Sequence, residues 1–104
     1  MASVYHKIDA YKVWFYTHNK SLIQVQVYNG ANYIGTLNFV ETDLIQQNME
    51  DSHGLIQLYF IKNDYSLIMD LLRNEKPLFL WYNQDAKTGG IVTDEKESIG
   101  EGEH

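Results

Sequence analysis

Residues 65–75 carry helical periodicity, whereas about six other stretches alternate with strand periodicity. That imbalance constrains the fold more than any other feature of the chain. In the helical stretch Tyr65, Ile68, Met69 and Leu72 fall on one side, Leu67 and Leu71 widen it, and Ser66, Asp70, Arg73 and Asn74 face water. Asn63 or Asp64 can cap its start, and Pro77 forces Lys76 out of helical geometry, so the helix ends by about Glu75. The apolar arc is about 200° wide, twice the ~100° stripe that one supporting surface requires. The helix must therefore touch two surfaces.

The strands pose the same problem from the other side. "YKVWFYT" at 11–17 sets Tyr11, Val13 and Phe15 against Lys12, Trp14 and Tyr16, and "LFLWYN" at 78–83 places Phe79 and Trp81 between Leu78 and Leu80. Both segments are apolar on both faces, and one helix cannot cover both faces of six strands. The sheet must curl on itself, expose an aromatic face, or bury that face in an oligomer. The expected class is α+β: a strongly bent, mainly antiparallel sheet of about six strands, with one long helix packed on its concave side.

Between these segments "LIQVQVY" (22–28) alternates Ile23, Val25 and Val27 with Gln24 and Gln26, the pattern of a strand with one wet face. Asn29-Gly30 marks a tight hairpin leading to "YIGTLNFV" (33–40), which completes a meander. Residues 41–54 are polar and acidic, and they fit either a short helix capped by Thr42 or Asp43 or a loop. "LIQLYFI" (55–61) restores the two-residue period. After 78–83, "QDAKTGG" reads as a turn with glycine-permitted geometry and "IVTDE" (91–95) as the last strand. Residues 1–95 form one domain, followed at 96–104 by an acidic Gly/Glu-rich tail too polar to pack fully and expected to be flexible.

Composition narrows the chemistry. Without cysteine, disulfide frameworks, thiolate metal sites and cysteine nucleophiles are excluded. The net charge of −6 comes from the 41–51 segment and the tail, whereas residues 1–40 hold Lys7, Lys12 and Lys20 against Asp9 alone. No apolar run is long enough for a membrane span, and a soluble cytoplasmic protein is expected. His6, His18, His53 and His104 are scattered, so no metal site follows from spacing, and no cofactor is implied. "DSHG" (51–54) places Asp51, Ser52 and His53 side by side, but neighbours in sequence seldom reach triad geometry, and a turn explains them. Phosphate-cradling glycine loops are absent.

Three functional classes remain. The leading expectation is a small non-enzymatic binding or protein-interaction module that self-associates as a homodimer through Tyr65, Leu67, Met69 and Leu71, or takes an unknown small ligand on Lys12, Trp14, Tyr16, Trp81 and Tyr82. The second is single-stranded nucleic-acid binding, for which aromatic rings interleaved with lysines supply a stacking platform, although one arginine and seven lysines give a weak phosphate field. The third is a small enzyme using a pocket carboxylate, Glu75, whose burial would favour its protonated form. No catalytic residue is assigned.

Overall fold

The computed structural model describes residues 3–16 and 23–93. The architecture is the α+β one that the sequence predicts, with eight strands among the described residues divided between two open sheets. The strand expected at 11–17 is β2 (Ala10–Phe15), and a further strand, β1 (Ser3–Ile8), precedes it and meets it at a bend at Asp9. Next come β3 (Ile23–Asn29), β4 (Asn32–Val40), a 3-10 turn (Thr42–Leu44), β5 (Met49–Glu50) and β6 (Ile56–Ile61). A second 3-10 turn (Lys62–Asp64) leads directly into α1 (Tyr65–Asn74), and the chain closes with β7 (Leu78–Asn83) and β8 (Thr88–Thr93). The 96–104 tail and the turn expected at 18–21 lie outside the described residues.

The larger sheet runs β2-β3-β4-β6-β5 and the smaller β1-β7-β8. Asp9 joins them. Its N–H donates to the Tyr28 carbonyl (2.9 Å) and its carboxylate accepts from the Gly30 N–H (2.7 Å), so the corner is pinned to the β3–β4 hairpin. At that hairpin Gly30 adopts φ 64°, the left-handed conformation glycine tolerates without a Cβ clash. A meander alone would leave the next strand antiparallel, but here β6 inserts between β4 and β5 and runs parallel to β4, from Gly35 opposite Ile56 to Val40 opposite Ile61.

The inner faces meet in one core. Val25, Val27, Leu37, Phe39, Ile56 and Leu58 from the larger sheet pack against Ile8, Leu78, Leu80 and Tyr82 from the smaller. The α-helix contributes Ile68 and Met69, while Tyr65 sits edge-on to Phe39 with centroids 5.3 Å apart. Phe60 stacks on Phe39 at the same distance. The Glu75 N–H donates to the Leu71 carbonyl (3.0 Å) as the helix ends, and the Lys76–Pro77 peptide bond that follows is cis.

One turn differs from its sequence reading. The β7–β8 hairpin takes its left-handed residue at Lys87 (φ 56°), not at a glycine, because the Asn83 side chain accepts from the N–H groups of Asp85 (3.0 Å) and Ala86 (2.8 Å). The Lys87 N–H donates to the Asn83 carbonyl (2.8 Å), completing the turn. Gly89 and Gly90 instead belong to β8, which therefore begins at Thr88, earlier than the expected residue 91.

Candidate binding surface

Strand β2 sets the geometry of the surface. It lies at the border of the larger sheet and among the described residues pairs only with β3, with Lys12 opposite Gln26 and Trp14 opposite Gln24. Alternation sends Lys12 and Trp14 to the outer face of the sheet and Val13 and Phe15 to the inner one. Trp14 donates its indole N–H to Gln26 Oε1 (2.9 Å), its ring lies 4.5 Å from Lys12 Nζ, and Tyr16 stacks beside it at 6.4 Å. Phe15 extends past the covered core and is 62 % exposed, touching Tyr65 edge-on at 6.1 Å. With Trp14 39 % and Tyr16 44 % exposed, three consecutive aromatic residues at this border remain in water.

Behind them the outer face is a hydrogen-bonded amide row, which the sequence reading missed. Gln24 Nε2 donates to Asn38 Oδ1 (2.7 Å), Asn38 Nδ2 to Gln57 Oε1 (3.3 Å) and to the Leu58 carbonyl (3.2 Å). Gln57 Nε2 reaches Asp51 Oδ2 at 3.5 Å. The Tyr28 hydroxyl also donates to Gln26 (3.2 Å), and Tyr33 shares a hydrogen bond with Thr36. The only signal in the sequence is the glutamine–valine alternation of β3, which predicts a wet face and says nothing of its partners. Mutual satisfaction lets the polar side chains of Thr36 and Asn38 sit buried on this face. It also stiffens the platform that carries Trp14.

The other expected ligand residues do not join this group. Trp81 stands on the outer face of the smaller sheet, opposite Tyr5 and Gly90, and its buried indole nitrogen has no hydrogen-bond partner among the described residues. Tyr82 points into the core, its hydroxyl donating to the Asn48 carbonyl at 3.4 Å. Burial, with a smaller contribution from Glu50, pushes its phenol pKa upward. The helical set divides as well: Met69 is buried, Tyr65 and Leu71 pack against the core, and Leu67 alone is left 62 % exposed. The helix's wide apolar arc thus resolves into a core-facing stripe plus one exposed leucine.

Asp51, Ser52 and His53 form a turn. The Asp51 carboxylate accepts from the N–H groups of His53 (2.9 Å) and Leu55 (3.1 Å), and these bonds, the His53 one first, hold its pKa below the usual 3.8. A group whose folded pKa is depressed stabilises the fold above the unfolded value and loses that contribution as pH falls toward the folded one. Acidification below pH 3.8 should therefore loosen this turn selectively. Protection of the Leu55 amide, read by hydrogen exchange, should fall over that range in the wild type, while Asp51→Ala should give low protection that does not change with pH. Equal pH dependence in both would show that the carboxylate does not hold the turn.

Among the described residues no group of three or more His, Asp or Glu side chains is placed to hold a metal ion, and no helix is long and apolar enough to cross a membrane. No family model, curated protein or solved structure matches the chain.

Proposed function

We propose that the protein is a small non-enzymatic interaction module that self-associates by pairing its β2 border with that of a second copy. One observation carries this reading: among the described residues β2 has hydrogen-bonded strand on one side only, and Trp14, Phe15 and Tyr16 stand exposed at its end on both faces of the sheet. Monomeric proteins blunt such borders with proline, bulges, very short strands, inward-pointing charge or charged side chains on the edge, lysine above all. Here the strand is six residues long with neither proline nor glycine, and its single charge, Lys12, lies against Trp14. Antiparallel addition of an identical strand satisfies the free backbone groups of both copies at once and brings the aromatic residues together across a two-fold axis.

Nucleic-acid binding is less well supported. Of the three lysines expected on one platform, Lys7 belongs to the smaller sheet and Lys20 lies outside the described residues, leaving Lys12 beside Trp14.

Light scattering behind size exclusion tests the proposal. As concentration rises, the apparent mass should climb from that of one 12.1 kDa chain toward twice that value. Tryptophan emission should shift to the blue in step as Trp14 leaves water, and Trp14→Phe should abolish the shift. A single-chain mass at every concentration would contradict the reading.

A further inference from the structure

The bend at Asp9 leaves a groove of about 890 Å³ between the β1–β2 corner and the C-terminal end of α1. That volume is within the range of small-molecule sites. Its apolar wall comes from Ile8, Tyr11, Leu72 and Leu78, of which Ile8 and Leu78 are otherwise buried core residues. Its rim carries Lys7, Arg73 and Lys76.

Those three cations set the groove apart. The described residues include Lys7, Lys12, Lys62, Arg73, Lys76 and Lys87, so half of them converge on one opening. Lys62 is paired with Glu41 at 3.2 Å and Lys12 lies over Trp14, but no carboxylate comes within ion-pair distance of Lys7, Arg73 or Lys76 among the described residues. Even the Asp70–Arg73 pair that helical spacing would allow is not formed, and Arg73 lines the groove instead. Two carboxylates share the rim. Asp9 is committed through Oδ1 to the Gly30 N–H, and Glu75 is half-buried beside the cations, which still outnumber the acids. In a chain of net charge −6, a local excess of unpaired cations around an apolar wall is unusual placement.

We propose that this groove binds a small organic anion with an apolar body, the body against Tyr11 and Leu72 and the anionic group between Arg73 and Lys76. Charge-assisted hydrogen bonds to a guanidinium and an ammonium supply orientation, and the wall supplies contact area. The helix C-terminus alone would disfavour an anion, so binding must depend on the cations rather than on backbone dipoles.

The test is a titration of 2-naphthoate, with neutral 2-naphthamide as its uncharged counterpart, followed by amide NMR shifts. Naphthoate should perturb residues 7–11 and 72–78 saturably, and naphthamide should bind at least tenfold more weakly. The Arg73→Gln/Lys76→Gln double variant should lose at least tenfold in naphthoate affinity with its spectrum otherwise intact, whereas Lys87→Gln should bind as the wild type does. Phe15→Glu should also leave naphthoate binding unchanged, because Phe15 does not line the groove, which meets β2 only at its first residues, Ala10 and Tyr11. No saturable binding, equal affinity for acid and amide, or an unaffected double variant would overturn the proposal.

Discussion

Adding one methyl group at Gly35 should destabilise the fold by about 1–3 kcal/mol, the usual cost of overpacking a core. A Cβ there would stand 2.6 Å from the Ile56 carbonyl oxygen and 2.8 Å from Leu80 Cδ2. The first is backbone of the parallel neighbour β6 and the second is core of the opposing sheet, so neither can yield without moving the interface between the two layers. Gly89→Ala should behave alike, its Cβ meeting the Trp81 carbonyl oxygen at 2.6 Å and Leu58 Cδ2 at 2.7 Å. Gly90 is the control, since nothing lies within 4 Å of a Cβ placed there. Thermal melts should place Gly35→Ala and Gly89→Ala roughly 4–8 °C lower per kcal/mol lost, with Gly90→Ala near the wild type. Three equal melting temperatures would mean that the sheets do not approach each other as closely as described.

The largest effect on association should come from Phe15→Glu. The wild-type side chain is 62 % exposed and its main contact is the edge-on pair with Tyr65, so its replacement should cost the protomer no more than about 1.5 kcal/mol. In the paired state the same change places a carboxylate from each copy at the joined border, in surroundings that lose water as the strands meet. Burying unpaired like charges costs several kcal/mol, so the dimer dissociation constant should rise by roughly 100-fold or more. Sedimentation equilibrium of the two proteins at matched concentrations reads this directly. An unchanged constant would remove Phe15 from the interface.

What the sequence revealed was local. The alternation of Val25 and Val27 with Gln24 and Gln26, the Asn29-Gly30 turn and the stripe Tyr65, Ile68, Met69 and Leu72 each depend on neighbours within a few residues, and the corresponding elements are where periodicity places them. The missed features depend on distant partners. The bend at Asp9 is held by Gly30, 21 residues away, and the amide row couples Gln24 to Asn38 and Asn38 to Gln57 across three strands. Parallel insertion of β6 likewise has no signature in "LIQLYFI", whose two-residue period suits either direction. The expected site residues were scattered for the same reason: Trp14 and Trp81 both read as the outward aromatic of a two-faced strand, but the corner at Asp9 assigns their strands to different sheets. Lys87 replaced glycine in its turn because Asn83 supplied the bonds that stabilise it.

Disulfide trapping tests the pairing of β2 most directly, because the chain has no cysteine of its own. Single cysteines introduced in turn at Lys12, Val13, Trp14 and Phe15 scan the strand for the position closest to its own copy across the two-fold axis, where Cβ atoms approach within the reach of a disulfide. Cysteines at the exposed positions Leu67 and Lys87 serve as references. Strand pairing predicts rapid covalent dimer formation under mild oxidation at one or two β2 positions and little at either reference. Equal trapping everywhere, or trapping strongest at Leu67, would contradict it and move the self-association surface away from the border of the sheet.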